Sequence, residues 1–195
     1  MQVVLASANP DKAREMTEVL AAAGVQVLPR PEGVPEVEED GDTLEDNARL
    51  KARALVAATG RPSLADDTGL EVVALGGAPG VVSARWAGPG ATYADNVAKL
   101  LSALDAVTDR RARFRTVALV AFPDGRELSA DGTVDGTIAF QSRGEGGFGY
   151  DPVFLPDGGA GLSFAEMPPA DKHALSHRGR ALRAVAELLR NDAGP

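Results

Sequence analysis

The first 28 residues constrain the fold most. Val3 to Ala6 is a short apolar run suited to a strand. Beyond Ser7-Ala8-Asn9-Pro10, the residues Met16, Val19, Leu20 and Ala23 share one face at helical spacing. Asn9 can cap that helix, Pro10 fits its first turn, and Gly24 ends it. Val25 to Leu28 reads as a second strand. A β-α-β opening implies an α/β layer.

The remaining elements extend that layer. A Pro- and Glu-rich loop fills 29–42, and Thr43 starts a helix to about Thr59, with Asp46 placed as the acid of a capping box. Ser63 to Ala65 is a short strand leading into Asp66-Asp67-Thr68-Gly69, which suits an Asx turn closed by the glycine. Residues 92–104 form a helix with Val97, Leu100, Leu101 and Leu104 inward, and Lys99 on its polar face. Arg115 to Phe122 is a strand, Pro123 to Arg126 a turn, and Glu127 to Phe140 returns. Pro152 to Leu155 is a buried strand, and Ser176 caps a last helix with Leu182, Val185, Leu188 and Leu189 inward. The expected architecture is α/β: an elongated mixed β-sheet flanked by helices, with two lobes around a central cleft. At 195 residues, one domain spanning 1–195 accommodates it.

Composition excludes several classes. Without cysteine there are no disulfides and no thiolate metal sites. No apolar run approaches a membrane span, and the N-terminus reads as a strand, so the expected location is cytoplasmic, with no membrane partner. A net charge of −8 argues against nonspecific binding of nucleic acid. It leaves room for a small anionic ligand, because a few local cations or a carboxylate-held magnesium ion suffice.

Lysine is scarce. Lys12, Lys51, Lys99 and Lys172 are the four lysines among 20 basic residues. A compact ammonium suits a phosphate or a single carbonyl oxygen better than a guanidinium does. Lys12 closes the pattern Ser7-x-Asn9-x-x-Lys12 at a strand-to-helix junction, where free N–H groups and the helix dipole favour phosphate. The same residues also suit a plain helix cap and a solvated lysine. Lys51 shares a helix face with Asn47. Asp66 and Asp67 sit where α/β folds place chemistry, and adjacent carboxylates can divide labour between holding metal and deprotonating water. In the acidic loop Glu36, Glu38, Glu39, Asp40 and Asp42, one or two residues could bind magnesium through oxygen.

Two further segments suit a nucleobase. Gly147-Phe148-Gly149-Tyr150-Asp151-Pro152 combines backbone freedom, two aromatic faces and a carboxylate that can accept from ring N–H groups. A glycine-hinged turn before a strand explains the same residues. Lys172, His177 and Arg178 bridge a loop and the start of the last helix, and all three donate hydrogen bonds. An arginine in a first helical turn is poorly placed for the dipole, which hints at a nearby anion. His173 reads as surface.

Six segments in order, LASANPDK, TLEDNARLKA, LADDTGLEV, GGAPGVVSARW, GGFGYDPVF and SHRGRAL, resemble the inosine-triphosphate pyrophosphatase family over nearly the whole chain. The resemblance implies magnesium-dependent cleavage of the α–β bond of dITP, ITP and XTP, giving a monophosphate and pyrophosphate, by a homodimer. It implies that Ser7, Asn9 and Lys12 grip the triphosphate, and that Glu39 and Asp67 hold magnesium within reach of Asp66. Asp67 would accept the proton of the attacking water, and Lys51 would neutralise developing charge. Phe148 would stack on the purine, Gly149, Tyr150 and Asp151 would line its pocket, and Lys172, His177 and Arg178 would read the base edge. Ser7 replaces the commoner threonine, and Thr68 stands where serine is frequent, each keeping its hydroxyl. Two rival readings are a related septum-inhibitor-type enzyme acting on modified pyrimidine nucleotides, and a nucleotide-binding sensor without turnover.

Overall fold

The computed structural model describes residues 1–192. Five α-helices of the described chain are α1 (Pro10–Ala22), α2 (Leu44–Thr59), α3 (Tyr93–Ala103), α4 (Pro169–Leu175) and α5 (His177–Asp192). The strands are β1 (Gln2–Leu5), β2 (Gln26–Leu28), β3 (Ser63–Val72), β4 (Pro79–Gly80), β5 (Arg111–Ala121), β6 (Glu127–Ile138) and β7 (Phe154–Pro156). They form one mixed sheet in the order β2-β1-β3-β5-β6-β7, with β4 paired to β3. β1 runs parallel to β2 and to β3, whereas β4 is antiparallel to β3 and β7 to β6. The α/β expectation holds, with helices flanking a mixed sheet.

The chain divides into two compact units. The first comprises 1–67, 116–132 and the segment from His177 onward; the second comprises 68–115 and 133–176. Each has its own core. In the first, Met16, Val19 and Leu20 of α1 and Leu182, Val185 and Ala186 of α5 cover Val3, Leu5, Leu64, Ala118 and Val120 of the sheet. In the second, Leu100 of α3 joins Leu70, Phe114, Ile138, Tyr150, Phe154 and Phe164. Phe114 meets Phe154 edge to face at 4.7 Å between ring centroids, and Phe154 stacks on Phe164 at 5.3 Å, both within the range aromatic pairs favour.

Local chemistry explains the helix starts. Asn9 Oδ1 accepts from the N–H groups of Asp11 and Lys12 at 3.0 and 3.1 Å. Thr43 Oγ1 accepts from Asp46 N at 3.1 Å, and its hydroxyl donates to the Asp46 carboxylate at 2.7 Å. The fully reciprocal capping box is on α3, between Thr92 and Asp95.

Several expectations change, among them the strand expected over Pro152 to Leu155, which runs Phe154–Pro156. Asp66-Asp67-Thr68-Gly69 is not a turn at a strand end but the middle of the ten-residue β3. Gly69 is needed there for close approach: a Cβ would meet Gly80 O of β4 at 2.8 Å. Lys172 lies not in a loop but in α4, whose Pro169 fits a first helical turn. Leu188 is only partly buried, unlike Leu182, Val185 and Leu189 on α5.

Candidate active site

Successive residues of a strand point to opposite faces, and β3 uses this to give Asp66 and Asp67 different partners. Asp66 Oδ2 accepts from Arg178 Nε at 3.1 Å, and Lys12 Nζ stands 3.7 Å away. The same guanidinium donates through Nη1 to Glu15 Oε2 of α1 at 2.6 Å. Asp66, Glu15 and Arg178 are all buried. Asp67 instead accepts from Lys51 Nζ at 2.9 Å and from Asn47 Nδ2 at 3.4 Å, both on α2. Lys51 also donates to Glu39 Oε1 at 2.8 Å. One ammonium therefore joins the acidic loop to β3.

The acidic loop is anchored rather than merely solvated. Asn47, fully buried, accepts from Gly41 N at 2.8 Å through Oδ1. Gly41 permits that approach, since a Cβ there would come within 2.7 Å of the same Oδ1. Fixing Gly41 brings Glu39, two residues earlier, to Lys51.

These surroundings push the two aspartates apart. Burial disfavours charge on Asp66, but Lys12, Arg178 and Lys51 outweigh it and hold the carboxyl well below the usual range. On Asp67 burial wins over Lys51 and Lys12, and the pKa is raised. Lys51 is itself opposed by burial, yet Asp67, Asp66 and Glu39 together keep its pKa above the ordinary lysine value. Lys12 goes the other way: burial exceeds the help from Asp66 and lowers its pKa. At 3.7 Å its ammonium is too far from Asp66 for a hydrogen bond, so an added anion would favour its charged form. Adjacent carboxylates with divergent pKa values are the usual mark of an acid–base division of labour.

A magnesium ion fits this chemistry. Among the described residues no group of three or more His, Asp and Glu side chains could enclose a metal. Magnesium does not need one, since it keeps several waters and binds one or two carboxylates together with substrate phosphates. Glu39 and Asp67, sharing Lys51, are the carboxylates that suit it.

The second unit holds the aromatic loop. Ala139 N bonds to Val153 O at 2.7 Å and Arg143 N to Pro152 O at 2.8 Å, closing its base. Gly147 and Gly149 take positive φ of 69° and 63° on either side of Phe148. Asp151, only 4% exposed, organises the loop: its Oδ2 accepts from Phe148 N at 2.8 Å and from Lys172 Nζ at 2.6 Å. Lys172 Nζ lies 4.8 Å from the Phe148 ring centroid. Tyr150 turns inward and donates to Ser83 O at 2.9 Å, and burial raises its pKa. Of the two aromatics, Phe148 is the half-buried one with a ring to offer.

The other candidates distribute unevenly. Lys172 bonds to Asp151 in the second unit, while Arg178 is engaged with Asp66 and Glu15 in the first. His177 Nδ1 lies 2.6 Å from Thr116 Oγ1. Asn9 spends its side-chain oxygen on the α1 cap, and the Ser7 hydroxyl donates to Asn9 O at 3.4 Å. Thr68 is partly buried in β3, beside Asp67. Sequence reasoning missed Glu15 and Thr116 and treated Asn47 only as a polar helix position. Glu15 had one signal: it follows Lys12 by three residues, one turn along the same helix.

A mixed α/β sheet carrying lysine-bridged carboxylates defines a protein equipped for phosphate chemistry. The chain belongs to the Ham1 family, whose profile matches residues 3–188. It is 48% identical to the dITP/XTP pyrophosphatase of Thioalkalivibrio sulfidiphilus over 195 residues, covering 97% of this chain and 98% of that protein. It is equally 48% identical to the dITP/XTP pyrophosphatase of Methylococcus capsulatus, covering 97% and 96% of the two. A HAM1 protein from Coxiella burnetii superimposes with a TM-score of 0.88 at 41% identity, covering 98% of this chain and 99% of that one.

Proposed function

We propose that this chain hydrolyses noncanonical purine nucleoside triphosphates, dITP, ITP and XTP, to the monophosphate and pyrophosphate, and so cleanses the nucleotide pool. The observation that carries the chemistry is Lys51 bridging Glu39 and Asp67, with Asp67 the carboxyl whose pKa burial raises. A carboxylate of raised pKa is the better proton acceptor near neutral pH. Water adds through its oxygen to the α-phosphorus, its proton passes to Asp67, and the bond to the bridging oxygen breaks to release pyrophosphate. Lys51 and Lys12 offset charge on the phosphates, with Ser7 and Asn9 at the same helix start. Magnesium, held by Glu39 and Asp67, would supply charge neutralisation of the phosphates. Asp66, kept ionised, orders Arg178 and Lys12 around it.

Phe148 stacks on the base, within the loop that Gly149, Tyr150 and Asp151 shape. Lys172, His177 and Arg178 are assigned to the base edge on the family resemblance, Arg178 and His177 being engaged with Asp66, Glu15 and Thr116 in the first unit. Hypoxanthine and xanthine carry a 6-oxo group where adenine has an amino group. Donors satisfied by the oxo group would be left unpaired against adenine, at about 1–3 kcal/mol each. Lys172 has the strongest case, because it stands over the Phe148 ring. The working unit is assigned as a homodimer on the family resemblance, and its location as cytoplasmic on the composition. Among the described residues no helix is long and apolar enough to cross a membrane.

The test is pyrophosphate release from ITP, XTP, ATP and dUTP, with and without chelator. ITP and XTP should be cleaved with magnesium present and spared with chelator. Release of single phosphates, or a preference for dUTP, would overturn the assignment.

A further inference from the structure

Phe148 has no side chain next to it in sequence. Gly147 and Gly149 flank it, both at positive φ. Its main chain is fixed by the bond from Phe148 N to Asp151, but that bond does not orient the ring. The ring's orientation depends on side chains from elsewhere in the second unit. Lys172 Nζ is one such neighbour, at 4.8 Å from the centroid. Tyr93 is another: its ring centroid lies 5.9 Å from that of Phe148, with the planes tilted by 39°. That separation falls in the 4.5–7 Å range in which aromatic pairs attract. It also leaves no room for a base between the two tilted rings, which would need a full stacking distance on each side. Tyr93 can therefore only back or flank Phe148, not form a second slice of a sandwich.

Tyr93 is well placed to do this. It is the first residue of α3, directly after the Thr92 cap, and is 41% exposed. The reciprocal box between Thr92 and Asp95 fixes the helix start. Asn96 ties the next turn down, accepting from Ala87 N at 2.7 Å and donating to Ala84 O at 3.0 Å. Val97 and Leu100 hold the inner face in the core. An aromatic on so firmly held a helix start, exposed on one side and against a loop phenylalanine on the other, is a fixed stop for that ring.

We propose that Tyr93 is a positioning residue for substrate binding: it holds the Phe148 ring at the angle at which it stacks on the purine. The inference rests on Phe148 being the base-stacking ring. Preorganising that ring spares the substrate the cost of ordering a mobile side chain. The effect belongs to KM for nucleotides with a base and not to the phosphate chemistry.

The test is a cycle of Tyr93→Ala, Tyr93→Phe, Phe148→Ala and the double alanine variant. KM and kcat for ITP are measured, with the inhibition constant of pyrophosphate as a base-free control. Tyr93→Ala should raise KM about three- to tenfold, the usual worth of one aromatic pair, with kcat within about twofold of wild type. Tyr93→Phe should restore KM, because the ring and not the hydroxyl acts. In the Phe148→Ala background the further change Tyr93→Ala should cost nothing, as coupled residues require. Pyrophosphate inhibition should not move. An unchanged KM in Tyr93→Ala, an equal loss in both backgrounds, or a parallel rise in the pyrophosphate constant overturns the inference. Phe148→Ala alone reports on the stacking assignment. If it leaves KM unchanged, that assignment fails and the inference with it; if it raises KM while Tyr93→Ala does not, the inference fails alone.

Discussion

At the scale of single residues, Asp66 and Asp67 are adjacent yet electrostatically opposite, and the difference is open to measurement. Asp66 is ionised among Lys12, Arg178 and Lys51, with its pKa depressed. A depressed carboxyl contributes stability above its unfolded pKa of about 3.9, and loses it as the pH falls toward the folded value. Asp67 has a raised pKa, so it contributes stability only below about 3.9 and loses that contribution as the pH climbs through the folded value. Burial thus makes the charged form of Asp67 less favoured in the folded than in the unfolded chain, with Lys51 offsetting part of that effect. Asp66→Asn should destabilise by about 1.5–3 kcal/mol, since it takes a charge-assisted bond from buried Arg178, which keeps Glu15, and the ion pair from the partly exposed Lys12, and lower Tm by on the order of 10 °C. Asp67→Asn should leave Tm unchanged or raise it, while reducing kcat more than about tenfold, a barrier increase of at least ~1.4 kcal/mol. Thermal melts and initial rates on the two variants check both halves. A folded Asp67→Asn enzyme with near-normal kcat would remove Asp67 as proton acceptor. The acidic and lysine residues were legible in the sequence because charged side chains carry their chemistry in their type, even where the element limits fall elsewhere, as at Asp66 and Asp67 inside β3. Glu15 was not, because its partner Arg178 lies 163 positions along the chain, and no local pattern joins them.

At the scale of elements, the helix ends and turns were readable and the strand limits were not. Asn9, Pro10, Thr43 and Gly60 mark helix limits through chemistry that acts within a few residues. The run Asp66 to Gly69 has turn-forming residues, but pairing with β1 and β4 overrides local preference and carries β3 on to Val72. Pro168-Pro169 likewise suggests a loop, yet a proline at a first helical position is what opens α4. One glycine shows how tightly elements set each other. A Cβ at Gly132 in β6 would fall on His177 O and Ala181 N, at the start of α5. These are backbone atoms, which cannot swing aside. Gly132→Ala should therefore push the start of α5 off the sheet and cost about 1–3 kcal/mol, as overpacking of a close contact does. Because His177 and Arg178 sit on that turn, kcat/KM for ITP should fall in the same variant. Urea unfolding together with steady-state rates tests this, and a variant of wild-type stability would show that the contact is looser than the backbone implies.

At the scale of the whole molecule, neither compact unit is a continuous stretch of chain. The first is assembled from three segments and the second from two. The chain passes from one to the other inside β3, β5 and β6, so each of these strands serves both cores: Leu64 packs in the first and Leu70 in the second, Val120 in the first and Phe114 in the second. A strand cannot easily keep its hydrogen bonds at one end after losing its core at the other, because backbone groups leaving a ladder must all be solvated together. We propose that the two units unfold as one domain, in a single two-state transition. Trp86 is the chain's one tryptophan and lies in the second unit. Gly132→Ala damages the first unit. If folding is shared, the Trp86 fluorescence midpoint in urea should shift by as much as the far-UV circular dichroism midpoint, both in wild type and in Gly132→Ala. Should Trp86 keep its wild-type midpoint while the dichroism transition moves or splits, the units would be independent folding bodies, and the strands that join them would act as tethers rather than as shared structure.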